Sequence, residues 1–466
     1  MRTIALYRRE HGAAGVRNRI AVISTVACAN HVVEQIAAQV PLADAYVHPY
    51  GCDQLGEDLQ LSFRCLARMG THPNVGATIV VGLGCEEISA EELWTEIAPQ
   101  RSRAAWFNIQ EVGGTTAAIA HGVELANRYA AELESMEREP FPLSELTVGL
   151  ECGGSDYTSG LAANPAMGKM ADLLCDAGCR LIFGETAELM GAEAVLEQLC
   201  VKPEHYQWIC GKIRHVEQTA LDMKVDLRGT QPSPGNIRGG LSTIEEKSLG
   251  GVCKIGSLPI QDVLEFAEPA KTPGVSFMDT PGNDLACSLG LSAAGAQILV
   301  FSTGRGTPMG FAASPVIKVT ANAQTAKRMA ENTDADLSNI LLRRMSIQEG
   351  GELLFQLLLC TAEWILDDGN AESLLEINGV GRKTIDYMKL LSGQQAIPID
   401  RHMFQFLEIA GVLTADYKEA SRILRKTASV LEVGESVLDK TIWNYMSQKK
   451  SDGQMSIFDI FGDIMV

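Results

Sequence analysis

Short runs rich in valine and isoleucine alternate with helix-patterned segments along most of this chain, and that alternation constrains the fold more than any other feature. The runs are Arg19–Val26, Ala45–His48, Ala77–Gly82, Ala104–Ile109, Leu146–Leu150, Arg180–Phe183, Gly274–Met278, Gln297–Phe301 and Val316–Val319. Between them, His31–Ala38, Asp58–Arg68, Thr115–Leu133 and Asn164–Ala177 carry apolar residues at helical spacing. Strands that alternate with helices need crossover connections, which build parallel sheets buried on both faces. A length of 466 residues exceeds one ordinary core, so more than one domain is expected. The expected class is α/β: two Rossmann-like parallel-sheet units, residues 1–138 and 139–365, then a small all-α domain, 366–450, and a tail, 451–466. The charged, proline-containing stretch Glu132–Pro142 reads as a linker between the two units, and Leu227–Asn236 as a long loop.

In open parallel sheets ligands bind beyond the carboxyl ends of the strands, and several runs here end in chemically loaded turns. Glu151-Cys-Gly-Gly-Ser-Asp-Tyr-Thr-Ser-Gly160 follows Leu146–Leu150 and places a thiol, two carboxylates and three glycines past one strand end. Gly184-Glu-Thr-Ala-Glu188, Asp279-Thr-Pro-Gly282 and Ser302-Thr-Gly-Arg-Gly306 follow other runs in the same way. Carboxylates with a glycine-flanked arginine suit an acidic, hydroxylated substrate. Arg305 can fork onto a carboxylate, and a carboxylate or lysine can take the proton next to it. The resulting enediolate then needs positive charge or a metal.

A second regularity concerns thiols. Ile23-Ser-Thr-Val-Ala-Cys28, Val80-Val-Gly-Leu-Gly-Cys85 and Val148-Gly-Leu-Glu-Cys152 each deliver a cysteine at a strand end, and His48-Pro-Tyr-Gly-Cys52 adds another. On one shared rim these thiols and His48 would converge. Of the 12 cysteines, Cys65, Cys175, Cys200, Cys253 and Cys360 sit in apolar surroundings and read as core. There is no CxxC pair, no signal-peptide pattern and no run pure enough for a membrane span, so the cytoplasm is the expected compartment. A net charge of −19 excludes a nucleic-acid coat over the whole surface but not a small anionic substrate.

At these motifs the chain resembles the large subunit, or carboxyl-terminal part, of the altronate/galactarate dehydratase family. The resemblance runs through Tyr7-Arg8, Gly15-Val-Arg-Asn18, His48–Cys52, Gly82-Leu-Gly-Cys-Glu86, Cys152–Asp156, Gly184–Glu188, Pro232–Asn236, Glu246-Lys-Ser248, Asp279–Gly282 and Thr303–Gly306. His11 stands where many members have aspartate, and the family's tail stops at about Leu359. The resemblance implies a metal-dependent hydro-lyase that turns a sugar acid such as altronate or galactarate into a 2-keto-3-deoxy acid. A related branch cleaves sulfolactate. It also implies a divalent metal, iron first and manganese second, with an iron–sulfur cluster still open. A separate small subunit would supply the amino-terminal domain that this chain does not begin with. The implied roles are metal or cluster ligation by His48, Cys52, Cys85 and Cys152, and acid/base chemistry by Glu185 and Lys247 with Asp156 beside them. Substrate binding falls to Arg17, Asn18, Ser155, Thr303 and Arg305.

Near the carboxyl end, Ile377-Asn-Gly-Val-Gly-Arg-Lys-Thr384 resembles a helix-hairpin-helix turn of the base-excision glycosylase kind. There Gly379 and Gly381 would aim backbone N–H groups at a DNA phosphate, beside Lys383. Gln454–Phe458 resembles a sliding-clamp-binding peptide. The alternative expectation is therefore a DNA-associated protein, bound weakly to DNA or a clamp through 366–466, whose lyase domain is inactive.

Overall fold

A computed structural model describes residues 2–363 and, beyond them, 401–409, 412, 414, 417–430, 435, 438 and 442. The chain divides into two compact units, Met1–Glu363 and Trp364–Val466.

The first unit holds two parallel sheets. The smaller contains β2 (Arg19–Ser24), β3 (Ala43–Tyr46), β4 (Val75–Gly82) and β5 (Ala104–Asn108), in the order β3-β2-β4-β5. Alternation along β2 divides its side chains between two cores. Ile20 and Val22 pack with Val32, Val33 and Ile36 of α1 (Asn30–Gln39) and with Ala118 and Leu125 of α4 (Thr115–Glu134). Ala21 and Ile23 pack on the other face with Ala67 of α2 (Gly56–Gly70) and with Leu93 and Ile97 of α3 (Ala90–Ile97). Both faces of this sheet are therefore dry, which explains its near-continuous apolar runs.

The larger sheet contains β7 (Thr147–Gly153), β8 (Arg180–Phe183), β9 (Ile260–Leu264), β10 (Gly274–Met278), β11 (Ile298–Thr303), β12 (Val316–Thr320) and β13 (Ala335–Asp336). Its order is β13-β12-β11-β7-β8-β10-β9, parallel throughout. The chain starts in the middle at β7, builds outward through β8 to β10, then crosses to the other side at β11. That reversal makes β7 and its neighbours the topological switch point, where such sheets place ligands. On its strands pack α5 (Asn164–Asp176), α6 (Pro203–Asp222) and α8 (Asp284–Ala293), while α7 (Ile244–Val252) and α9 (Ile347–Glu363) pack against α5.

Two expectations need correction. Residues 139–142 are not linker: they form β6 (Glu139–Pro142), which pairs antiparallel with β1 (Thr3–Leu6) at the start of the chain. Its two prolines lack N–H groups and are tolerated because a two-stranded ribbon leaves one edge of each strand free. Residues 227–236 are not one loop. They fold into short helices, Leu227–Thr230 and Pro234–Arg238, the second opened by a Ser233/Asn236 capping box with proline at its first turn.

The two sheets meet at their amino-terminal edges. Asn74, just before β4, donates to Gln297 O and Ala313 O at 2.8 Å each, while its carbonyl accepts from the N–H groups of Val16 and Arg17. His72 reaches Ala296 O at 3.2 Å, and burial drives its pKa down to about 3, keeping it neutral. Cys65 and Met69 of α2 also pack between the two sheets, against Ala267, Ala293 and Ala313.

In the second unit, α10 (Arg401–Ile409) and α11 (Tyr417–Val430) enclose Met403, Phe406, Leu407, Ala420, Leu424 and Ala428. Gly379, Gly381, Lys383 and Gln454–Phe458 lie outside the described residues.

Candidate active site at the rim of the seven-stranded sheet

β7 delivers Glu151 and Cys152 in its last residues, both fully buried. The Ser288 hydroxyl donates to Glu151 Oε2, while Oε1 has no partner. Burial, and then the charge of Glu185, push the Glu151 carboxyl up to about 9, so it is held protonated at neutral pH. Cys152 Sγ lies 3.0 Å from Ser155 Oγ and accepts from Asn164 Nδ2 at 3.5 Å, and burial raises its pKa.

The turn after β7 is built around Asp156. Oδ1 accepts from Thr158 N at 2.8 Å, Thr158 Oγ1 at 2.6 Å and Ser159 N at 3.2 Å, and Oδ2 from Asn322 Nδ2 at 2.7 Å. Both oxygens are engaged by the chain itself, so Asp156 shapes the rim. A Cβ at Gly304 would stand 2.2 Å from Asp156 Cγ, which explains the glycine there. Thr303 Oγ1 is likewise taken, by the N–H of Gly306.

β8 ends at Gly184, and Glu185 follows in the left-handed region at φ 75°. Its N–H donates to Thr280 Oγ1 at 2.6 Å, which holds the strained turn against the end of β10. Glu185 Oε2 meets Lys254 Nζ at 2.6 Å, with side chains 1% and 4% exposed. Burial opposes charge on Lys254, but Glu185, Cys152 and Glu188 outweigh it and hold the ammonium above its ordinary range. One turn on, Glu188 pairs with Lys247 at 2.6 Å. Burial and the Glu185 charge push Glu188 up to about 7. Glu188 and Lys247 line a pocket of about 100 Å³ with Ala187, Leu227, Gln231 and Ile244.

The rim therefore gathers Cys152, Ser155, Asp156, Glu185, Lys247, Thr303 and Arg305. The Arg305 N–H is bonded to Gly154 O, and its exposed guanidinium passes over Gly235, where a Cβ would come within 2.6 Å of Nη1. Lys254, Glu151 and Ser288 were not legible as site residues. Lys254 sits 69 positions beyond its partner, in a single helical turn beside Cys253. That cysteine is itself exposed rather than core, and Cys175, Cys200 and Cys360 are half-buried.

Five expected site residues lie elsewhere. Arg17 and Asn18 precede β2, at the opposite edge of the smaller sheet from its rim. Asn18 is buried, accepting from Arg9 Nη1 and donating to Leu133 O, so it joins segments of the fold. His48, Cys52 and Cys85 stand at the carboxyl rim of the four-stranded sheet, away from Cys152 in the other sheet. Both ring nitrogens of His48 are engaged, Nε2 with Ser24 O at 2.9 Å and Nδ1 with the N–H of Tyr50 at 3.2 Å. Among the described residues no group of three or more His, Cys, Asp or Glu is gathered so as to hold a metal ion. Against Glu185 the cation's place is filled by Lys254. Among the described residues, no helix is long and apolar enough to cross a membrane.

The sequence matches two parts of one family in register with the two sheets. Residues 6–134 match "D-galactarate dehydratase/Altronate hydrolase, second domain", and residues 143–372 match "D-galactarate/Altronate dehydratase, C-terminal". The second match runs past Leu359, where the sequence suggested the family pattern stops. Residues 370–447 match a domain of unknown function. The chain is 37% identical over 369 residues to "(2R)-sulfolactate sulfo-lyase subunit beta" of Chromohalobacter salexigens, covering 78% of this chain and 92% of that protein. It is 38% identical to "Altronate dehydratase" of Bacillus subtilis over 69% of this chain and 66% of that one. It is 32% identical to "Galactarate dehydratase (L-threo-forming)" of Escherichia coli over 76% and 72%. The chain belongs to the D-galactarate/altronate dehydratase family and is an enzyme of the lyase class.

Proposed function

We propose that the chain removes water from a hydroxylated sugar acid at the rim of the seven-stranded sheet. The observation that carries this reading is the pocket walled by the Glu188–Lys247 pair and backed by the buried Glu185–Lys254 pair. A carboxyl brought near 7 takes and returns a proton at neutral pH, which is what general catalysis requires. Arg305 holds the substrate carboxylate. Glu188 takes the proton from the adjacent carbon, the C–H electron pair forms the double bond, and the bond to the neighbouring hydroxyl breaks. Lys247 protonates that hydroxyl as it leaves as water. The enol left behind tautomerises to a 2-keto-3-deoxy acid. Glu185 and Lys254 position the pair and supply fixed charge in a dry site.

A second reading rests on the fuller coverage of the sulfolactate relative. The same base would remove the proton next to the carboxylate, and sulfite would leave in place of water. That relative is named as one subunit, so a second subunit completing this rim belongs to both readings. The deciding experiment is a panel of aldonic, aldaric and sulfonated hydroxy acids, assayed for keto acid and for sulfite with the chain alone and with a small-subunit partner. Glu188→Gln and Lys247→Met should each lower kcat by about 10²–10⁴-fold with the fold intact. Full turnover in both variants would overturn the assignment. Sulfite release without keto acid from any sugar acid would select the second reading.

A further inference from the structure

The pocket beside the Glu188–Lys247 pair has one more polar side chain in its wall. Gln231 lines it together with Ala187, Leu227, Ile244 and Gly282, none of which offers a polar side-chain atom. Gln231 Oε1 is shut off from solvent and accepts no hydrogen bond. Buried amide oxygens normally have a donor, and one left without it costs free energy until a donor arrives. The Lys247 ammonium on the same wall is already paired with Glu188 at 2.6 Å.

The segment that carries Gln231 is fastened on both sides. Its own N–H donates to Leu227 O at 2.8 Å, closing the turn Leu227–Thr230. Arg228 in that turn pairs with Glu217 of α6 at 2.6 Å and with Glu193 at 3.3 Å. On the other side the capped turn Pro234–Arg238 is tied to the residues after β7. Asn236 Nδ2 donates to Ser155 O at 2.8 Å, and the Tyr157 N–H to Gly239 O at 3.0 Å. The backbone is thus held on the rim, while the soft terminal torsion of glutamine lets the amide turn its oxygen onto a ligand.

The same segment runs alongside the substrate. Arg305, which the proposed dehydration sets on the substrate carboxylate, lies against Gly235, four residues on from Gln231. Glu188 and Lys247 act on the two carbons next to that carboxylate. Gln231 shares their pocket at the other end of the segment, so the group it meets lies past the reacting carbons. A hydroxyl there donates to an amide oxygen, whereas a methylene or a sulfonate offers no hydrogen. Resting on that dehydration, we infer that Gln231 is a specificity-determining residue: its amide oxygen accepts from the substrate hydroxyl one carbon beyond the one that is lost. The chain then favours an acid that carries this hydroxyl over one that lacks it, because only the first satisfies the orphaned oxygen.

The test uses the full chain, with a small-subunit partner where turnover needs one. Altronate and 4-deoxyaltronate, which differ in that single hydroxyl, are measured as substrates and as competitive inhibitors of whichever acid is turned over. The parent should favour altronate by about 10²-fold or more. Gln231→Met keeps the length but removes the acceptor, and should bring that preference to within a few-fold. Glu188→Gln should instead slow both acids alike and leave the preference in binding. Gln231→Glu keeps an acceptor but sets a negative charge in the pocket of Glu188, so it should raise the pH at which kcat/KM falls. Circular dichroism checks that each variant is folded. A parent indifferent to the hydroxyl, a preference unchanged in Gln231→Met, or equal losses on both acids in that variant would overturn the inference and leave the dehydration standing. Full turnover in Glu188→Gln would remove the dehydration, and this inference with it.

Discussion

Glu188 and Glu151 face the same buried charge on Glu185 yet are suited to different tasks. Glu188, pushed up to about 7 and lining the pocket, must be ionised to act as a base. The kcat/KM of the enzyme should therefore fall as pH drops through about 7, and a pH–rate profile checks this. Glu188→Gln should remove the dependence along with most of the activity. Glu151, pushed up to about 9, binds a proton in the folded chain at pH values where the unfolded chain has released it. Its folded-state pKa is raised, so its contribution is fully present below the unfolded pKa near 4.5 and is lost as pH rises towards 9. Glu151→Gln cannot ionise and should stabilise the chain at pH 8 by on the order of 1 kcal/mol. Thermal melts at pH 5 and pH 8 would show this as a smaller loss of Tm across the interval than in the parent chain. An equal loss in both would mean that Glu151 is not held protonated. The sequence made Glu185 conspicuous because a carboxylate beside glycine at a strand end is a local pattern. Its partner Lys254 is local to nothing, and only the crossing of α5, α7 and the end of β8 brings the two together.

Strand ends carry the chemistry, and the amino-terminal edges carry the joint between the sheets. All nine apolar runs became strands because a strand buried on both faces must be apolar along its length. The strands that went unseen are β1, β6, β9 and β13. β6 holds two prolines, β9 is a charged edge strand, β13 has only two residues, and β1 is four residues long in a two-stranded ribbon, so they lack that signature. The four thiol-bearing turns were legible as turns but not as two separate rims, since a sequence does not say which strands share a sheet. Asn74 ties the joint between the sheets: its side chain makes four hydrogen bonds, two of them across to Gln297 and Ala313 beside the larger sheet and two within its own sheet's edge to Val16 and Arg17. Asn74→Ala leaves the N–H groups of Val16 and Arg17 and two carbonyls unsatisfied, which should cost about 2–4 kcal/mol. Denaturant unfolding should show the midpoint fall. An unchanged midpoint would mean that the two sheets are held by their apolar contacts alone.

At the scale of the whole chain, the two compact units have their own cores. In Met1–Glu363, among the described residues, the apolar clusters on each face of the smaller sheet and around α8 are built from residues of that unit. In Trp364–Val466 a cluster from Met403 to Ile442 closes among its own helices. The dehydratase match ends at 372 and the match of unknown function begins at 370, so the family boundary and the structural one nearly coincide. A chain ending at Glu372 keeps every residue of both rims. It should fold cooperatively with a Tm within a few degrees of the parent, since a compact domain with its own core folds as a unit. It should also keep the parent's kcat/KM on whichever hydroxy acid the full chain turns over, because Glu185, Glu188, Lys247, Lys254 and Arg305 all lie before residue 363. Differential scanning calorimetry with a parallel activity assay separates the outcomes. A lost transition would show that the first unit depends on the second to fold. An intact transition with lost turnover would give the second unit a part in catalysis that neither rim reveals.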